Sequence, residues 1–309
     1  MMDKKEFITR RYPIFKSQIL PRLVLLFYGV PKKSFGSVDV TNKCNLRCKH
    51  CYYYAGKQDE EIEPSHLIDK ISTHLSNFKN CWSCTWVGGE PLLRQDVPYK
   101  LKSKFKFNLI VTNGTLPLPD WKDVSYYISL DGTQETHDKI RGKGVYARLH
   151  KNVTDPKNYG KTIRLACCLN NLNKECIEPM LEEWYDCSNV KEMIFDFYTP
   201  FVDAEDDLWI PFEERDKIID KILTLKREKY GQFISGSETL YSLMKSGNRH
   251  KAVGSNCIFM KKGFAINASG ELKSKCMLGG KADCDRCGCV VPFHLRSISR
   301  KYILKDLLF

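Results

Sequence analysis

The sequence has no hydrophobic run long enough to span a membrane, and its start lacks the features of a secretory signal. The apolar stretch LVLLFYGV, from Leu23 to Val30, is far shorter than the roughly 20 residues that a membrane helix needs. The opening MMDKKE also lacks the basic-then-apolar order of a signal peptide. We therefore expect a cytoplasmic protein in a reducing compartment, where its 14 cysteines serve as metal or cluster ligands and not as a disulfide framework.

The basic residues are scattered, and the sequence has neither a glycine-arginine tract nor an aromatic-basic stacking platform. This argues against nucleic acid as a partner, although 49 Lys and Arg against 37 Asp and Glu give a net charge of +12. An acidic peptide or an anionic membrane surface would also be attracted. In the lead-in over residues 1–35, basic side chains flank the apolar stretch. We favour packing of this segment on the rest of the protein, with a peripheral membrane contact as the alternative.

From residue 36 onward, short β-branched or aromatic runs alternate with stretches of helical periodicity, which is typical of βα units and a parallel sheet. Helices are predicted from Pro64 to Phe78, from Lys174 to Tyr185 and over residues 212–230. The predicted strands are Gly36 to Thr41, Trp82 to Val87, Phe107 to Thr112, Tyr126 to Leu130, Thr162 to Leu169 and Met193 to Tyr198. The pattern predicts an α/β fold, a partial (β/α)6 TIM-like barrel over residues 36–230. A region over residues 231–309 follows, with a small cysteine-rich C-terminal subdomain.

Three cysteines follow the first predicted strand in the spacing CxxxCxxC: Cys44, Cys48 and Cys51. Three thiolates leave one iron of a four-iron cube without a protein ligand, whereas clusters that only transfer electrons usually have four cysteines. Zinc is the alternative, but zinc sites favour CxxC pairs with a matching distant pair. The spacing therefore favours a 4Fe-4S cluster with an open coordination site.

This cysteine motif at the end of a first barrel strand resembles the signature of the radical SAM superfamily. At the end of the second predicted strand, GGEP (Gly88 to Pro91) resembles a further motif of that family. The resemblance implies that the cluster binds S-adenosylmethionine and that Glu90 accepts from its methionyl ammonium. Gly88 and Gly89 would let the backbone approach the ligand, since they have no Cβ. In the family an aromatic residue usually precedes the third cysteine, near the adenine, and His50 holds that position here.

Polar residues also stand at the ends of the next predicted strands, which is where barrels place their ligand groups. By resemblance to the family, Asn113, Ser129 or Asp131 would meet the ribose of the cosubstrate. Arg141, in the stretch HDKIRG, would bind the methionyl carboxylate through a bidentate pair. The alternatives are ordinary turns at Asn-Gly and Asp-Gly, and a surface salt bridge for Arg141.

The C-terminal region contains a second group of cysteines. Cys257, Gly270 and Cys276 resemble the opening of SPASM and twitch subdomains, with one residue more than usual between the glycine and the second cysteine. The resemblance implies one auxiliary 4Fe-4S cluster within residues 257–289, with Cys289 as a spare or substitute ligand and structural zinc as the alternative. The expected ligands are Cys257, Cys276, Cys284 and Cys287. The other cysteines are expected to be buried core thiols without a function: Cys81, Cys84, Cys167, Cys168, Cys176 and Cys187.

The resemblance implies an enzyme that reductively cleaves S-adenosylmethionine to a 5'-deoxyadenosyl radical, which abstracts hydrogen from a substrate. A flavodoxin- or ferredoxin-type protein would donate the electron. The C-terminal cysteines favour a peptide or protein substrate, and the basic, apolar lead-in makes a lipid or isoprenoid the alternative. The competing class is a non-catalytic iron-sulfur or zinc protein, which would need four ligands at the first site and has no use for the Gly88 to Glu90 motif.

Overall fold

The computed structural model describes residues 30–55, 60–78, 81–202, 206–299 and 302. Most of the predicted lead-in over residues 1–35, including the apolar stretch up to Gly29, lies outside the described residues. In the part of the chain that is described, no helix is long and apolar enough to cross a membrane.

Seven parallel strands form one sheet in the order β6-β5-β4-β3-β2-β1-β7. The strands are β1 (Phe35–Asp39), β2 (Ser83–Val87), β3 (Phe107–Thr112), β4 (Val124–Ser129), β5 (Thr162–Leu169), β6 (Val190–Phe197) and β7 (Phe264–Ile266). From β1 to β6 each strand lies beside its neighbour in sequence, so the carboxyl ends of these strands meet along one edge of the sheet. The loops that follow them therefore share that edge, which is where open α/β folds bind their ligands.

Helices lie in every connection between β1 and β6 except the one from β3 to β4. The α-helices are α1 (Tyr52–Ala55), α2 (Pro64–Ser76), α3 (Asp96–Leu101), α4 (Gln134–Arg141), α5 (Val145–Thr154), α6 (Ile177–Trp184), α7 (Phe212–Leu225), α8 (Glu238–Met244), α9 (Ile258–Lys262) and α10 (Val290–Ser297). Helix α2 begins with Pro64 in its first turn, where the missing N–H costs nothing, and buries Leu67 and Ile71.

The sheet has one face covered by helices and one that is partly open, as strand β5 illustrates. Ile163, Leu165 and Cys167 are buried in the core that the helices share. Arg164 and Cys168 alternate with them and are only half-buried, because successive strand residues point to opposite faces. We call the face that carries Arg164 and Cys168 the open face.

The α/β fold class predicted from the sequence is confirmed, and β3 and β5 have their predicted bounds. The helix predicted over residues 212–230 ends at Leu225, and the chain continues in a wider π-type turn over Lys226–Tyr230. The division of the chain at residues 36 and 231 stays a prediction.

The structure adds a strand from the C-terminal region to the six predicted strands. Strand β7 pairs in parallel with β1, with Gly36 opposite Phe264. A Cβ on Gly36 would lie 2.4 Å from both the ring and the carbonyl oxygen of Phe264, so the glycine permits this pairing. Three buried residues are too short a run to show a strand period. The C-terminal region therefore adds one strand to the sheet that the six predicted strands form.

Candidate functional site

The loop after β1 carries the three cysteines of the CxxxCxxC spacing. Cys44, Cys48 and Cys51 are unpaired and half-buried, and Cys51 N donates to Cys48 O over 3.2 Å. Helix α1 begins immediately after them, at Tyr52. The structure thus presents three thiols on one loop at the carboxyl edge of the sheet.

The two glycines of GGEP bring the end of β2 against this loop. Gly89 N donates to Thr41 O, and a Cβ on Gly88 would lie only 2.5 Å from that oxygen. A Cβ on Gly89 would lie 2.1 Å from the carbonyl oxygen of Lys43. Gly88 also has φ +119°, which favours glycine. The glycines therefore let two backbones meet, whereas their approach to a cosubstrate stays a prediction.

Glu90 is almost fully buried, at 1% exposure, and joins the turn after β2 to the end of β3. Its Oε1 accepts from Leu92 N (3.0 Å) and Thr112 Oγ1 (2.7 Å), and its Oε2 accepts from Asn113 N (2.8 Å). Burial raises the pKa of Glu90, and these hydrogen bonds oppose that rise. A carboxylate has about four acceptor positions, so one position on Oε2 remains for a further donor.

Donors from three elements approach the sulfurs of the cysteine loop. Leu46 N lies 3.4 Å and Asn113 Nδ2 3.9 Å from Cys44 Sγ, while Arg141 Nη1 lies 3.9 Å from Cys48 Sγ. Burial raises the pKa of Cys48 to about 11, and the charge of Arg141 opposes the rise. N–H donors stabilise sulfur that carries negative charge. Unpaired thiols with donors aimed at them fit the thiolate ligands of an iron-sulfur cluster.

Asp131 lies at the centre of a buried polar group next to these cysteines. Its Oδ2 accepts from Arg141 Nε over 2.5 Å and lies 2.6 Å from His50 Nε2, and its Oδ1 accepts from Cys168 N over 3.3 Å. Burial disfavours the charge of Asp131, but Arg141 and His50 hold its pKa well below the usual range. Asp131 therefore remains a carboxylate and fixes Arg141 beside Cys48.

The residues expected near the cosubstrate differ in their burial and in the protein partners that they already have. Ser129 ends β4 on the open face, half-buried. Asn113 is mostly buried, and its amide also donates to Asn45 Oδ1 over 2.9 Å. Both oxygens of Asp131 already have protein partners, and His50 faces Asp131, with its buried Nδ1 lacking a partner among the described residues. The ribose and adenine contacts stay predictions.

Sequence reasoning missed two residues on the open face, Asp196 and Cys168. They are opposite each other on β6 and β5, and the Cys168 thiol and Val290 N both donate to the Asp196 carboxylate. Burial and the charge of Asp131 raise the pKa of Asp196 to about 7. Placing Cys168 in the core was wrong, because it alternates with buried Cys167. A polar residue near the end of a predicted strand was the available signal for Asp196.

The cysteines of the C-terminal region are also unpaired. The pKa values of Cys257, Cys276 and Cys287 are raised by burial first and then by the neighbouring cysteines, Cys284 among them. Cys289, at the start of α10, is a neighbour of Cys287 and Cys276 as well. The predicted ligands are thus neighbours, and the choice between Cys284 and Cys289 stays open. Among the described residues, no three His, Cys, Asp or Glu side chains lie close enough to hold a single metal ion.

Of the other cysteines, Cys84 and Cys167 are buried as predicted. Cys81, Cys176 and Cys187 are only partly buried at the edge of the core. The core prediction is therefore right for two of these five and too strong for the others.

A buried ion pair joins the C-terminal region to the first strand. Lys273 pairs with Asp39, the last residue of β1, and also donates to Met277 O over 2.7 Å. Burial raises the pKa of Asp39 to about 6 despite the charge of Lys273. The segment between Gly270 and Cys276 is thereby held at the edge of the sheet that carries the first cysteine loop.

Known proteins are similar to this chain over the part that carries the first cysteine loop. Residues 38–183 match the family model described as the Radical SAM superfamily. Fe-coproporphyrin III synthase of Methanosarcina barkeri is 33% identical over 174 residues, covering 51% of this chain and 42% of the relative. The cysteine-type anaerobic sulfatase-maturating enzyme of Clostridium novyi is 29% identical over 167 residues, covering 45% and 44%. The chain thus spans less than half the length of these curated relatives.

Among solved structures, Streptococcus suis SuiB bound to precursor peptide SuiA matches with a TM-score of 0.63. The match covers 88% of this chain and 67% of that one at 12% identity. At this identity the likeness shows the fold, and it confirms the predicted architecture over most of the chain.

Proposed function

Because residues 38–183 match the Radical SAM superfamily model, we propose that the chain is a radical SAM enzyme that modifies a peptide or protein by radical chemistry. When bound, a 4Fe-4S cluster with S-adenosylmethionine would supply a 5'-deoxyadenosyl radical that abstracts hydrogen from the substrate. Cys44, Cys48 and Cys51 would hold the cluster. The observation that carries this proposal is the set of three unpaired thiols on one loop, with donors from Leu46 and Asn113 near the sulfur of Cys44 and a donor from Arg141 near that of Cys48.

Two charged residues would orient the methionyl group of the cosubstrate. Glu90 keeps one acceptor position on Oε2, which suits an ammonium donor. Arg141 uses Nε for Asp131 and Nη1 for Cys48, which leaves further N–H donors of its fork for a carboxylate. Asn113 and Ser129 would then face the ribose from the ends of β3 and β4.

The C-terminal cysteines would hold an auxiliary 4Fe-4S cluster. Two observations support this cluster. The side chains of Cys257, Cys276, Cys284 and Cys287 are neighbours, and Lys273 joins this segment to β1 through Asp39. The open face between the two cysteine groups carries Cys168 and Asp196. A substrate on this face would lie between the two sites, where water can be excluded and the radical directed at one bond.

A peptide or protein substrate is favoured by two comparisons. One relative is named as a sulfatase-maturating enzyme, and SuiB was solved with a precursor peptide. A tetrapyrrole is the second candidate, because the relative with 33% identity is named Fe-coproporphyrin III synthase. The net charge of +12 suits an acidic peptide and tetrapyrrole carboxylates alike. A lipid or isoprenoid has no comparable support.

The first experiment measures 5'-deoxyadenosine after anaerobic reconstitution with iron and sulfide, in the presence of S-adenosylmethionine and dithionite. The wild type should form it, and the Cys44→Ala/Cys48→Ala/Cys51→Ala variant should not. A Cys187→Ala variant is the matched control and should match the wild type. Equal rates in the triple variant and the wild type would overturn the proposal. Replacing dithionite by reduced flavodoxin tests the predicted electron donor.

A further inference from the structure

Two arginines that pair with no carboxylate in the described part of the chain contact the CDRCGC segment. Arg215, in the first turn of α7, is 3% exposed. Its Nε donates to Ile210 O over 2.8 Å and its Nη2 to Tyr198 O over 2.9 Å. Its guanidinium centre lies 5.0 Å from the ring centroid of Phe197 and 5.3 Å from that of Trp209. The side chain is fixed in an apolar and aromatic environment.

Arg249 lies over the same aromatic group. Its guanidinium is 4.4 Å from the centroid of Phe212, while that of Arg215 is 5.6 Å from the same ring. Arg249 Nη2 donates to the carbonyl of Cys287 over 3.3 Å, and Arg215 Nη1 approaches the carbonyl of Arg286 at 3.5 Å. The two guanidiniums therefore contact consecutive carbonyls within CDRCGC.

The charges of this pair are not neutralised by ion pairs. Among the residues that the structure describes, no carboxylate lies within ion-pair distance of either guanidinium. Asp196 acts on Arg215, and Asp283 and Asp285 act on Arg249, from farther away. Like charges sharing one partly desolvated site repel each other, and buried charges are normally paired. The arrangement requires negative charge nearby.

The two contacted carbonyls belong to the peptide units on either side of the Cys287 side chain. The sulfur of Cys287 is therefore the nearby site at which negative charge is expected. A cluster with four thiolate ligands has a net negative charge, which increases on reduction. On the basis of the auxiliary cluster of the proposed function, we propose that Arg215 and Arg249 supply the positive charge beside that cluster and raise its reduction potential. Nearby positive charge stabilises the reduced form, because that form is the more negative one.

The test uses the full chain with Cys44, Cys48 and Cys51 replaced by Ala, so that only the auxiliary site can bind iron. Iron and sulfide analysis comes first, followed by a redox titration of the cluster monitored by electron paramagnetic resonance. Arg249→Gln should lower the ratio of reduced to oxidised cluster at fixed potential at least tenfold, about 59 mV for one electron. Arg249→Lys keeps the charge and should restore most of the shift. Arg249 is the first choice because, unlike Arg215, it is only partly buried.

Arg227→Gln is the control, since Arg227 is exposed and pairs with Glu238. It should leave the midpoint unchanged. If the cluster is present and Arg249→Gln leaves its potential unchanged, this role of the arginines is overturned while the auxiliary cluster stands. If the parent chain binds neither iron nor sulfide, the auxiliary cluster itself is overturned, and the role of the pair fails with it.

Discussion

Arg141 Nη1 lies 3.9 Å from the sulfur of Cys48, while Nε of the same guanidinium donates to Asp131. One side chain thus connects the cysteine loop to Asp131, the second residue after β4. Asp131 is fully buried, so the guanidinium is fixed by a partner that cannot exchange freely with water. Any anion that binds the remaining donors would be placed beside Cys48 by this contact.

Replacing Arg141 by Lys should weaken S-adenosylmethionine binding. A lysine keeps the charge but cannot contact Asp131, Cys48 and a carboxylate at once, because it lacks the fork. Loss of one charge-assisted hydrogen bond costs about 1.5–3 kcal/mol, roughly ten- to a hundredfold in affinity. Equilibrium titration of the reconstituted protein measures this. Arg148→Lys, on an exposed position of α5, is the control, and an affinity unchanged in Arg141→Lys would exclude the role.

Glu90→Gln should lower both stability and cosubstrate affinity. The amide places an N–H among three donors, from Leu92, Thr112 and Asn113, where the carboxylate accepts. We expect the free energy of unfolding to fall by about 1–3 kcal/mol, measured by urea titration of the apoprotein. Affinity for S-adenosylmethionine, measured on the reconstituted fraction, should fall as well. A loss of stability with normal affinity would limit Glu90 to a structural role.

Gly89→Ala should displace the cysteine loop. The added Cβ would lie 2.1 Å from the carbonyl oxygen of Lys43, which is backbone and cannot rotate away. We expect destabilisation by about 1–3 kcal/mol, as for overpacking, and a lower iron content after reconstitution. Gly247→Ala provides the comparison, because nothing lies within 4 Å of its Cβ position. Equal iron content in both variants would contradict the packing argument.

Asp196 should make stability depend on pH. Its pKa is raised from 3.8 to about 7, mainly by burial, so the folded state disfavours the carboxylate. Its contribution to stability is complete below about pH 4 and is lost as the pH rises to about 7. Asp196→Asn should therefore gain stability relative to the wild type between pH 5 and pH 8 in urea unfolding under reducing conditions. Asp207→Asn, on an exposed residue, should show no such trend.

The sequence predicted strands and the position of the cysteine loop where a hydrophobic period or a cysteine spacing was long enough to recognise. The alternating run from Thr162 to Leu169 predicted β5 with its bounds, and the cysteine spacing located the loop after β1. Strand β7 could not be found in this way, since three residues have no measurable period. The Arg215–Arg249 pair depends on the meeting of segments far apart in sequence, and single-residue reading gives no signal for it.

The pairing of β7 with β1 also has a consequence for how the chain folds. Gly36 can pair with Phe264 only after most of the protein has been synthesised, so this edge of β1 lacks its partner strand until then. Contacts of such sequence separation form slowly, and an uncovered strand edge can pair with other chains in the meantime. A ribosome-bound or prematurely terminated chain would therefore be the form most prone to aggregate, and binding of β7 would end that exposure.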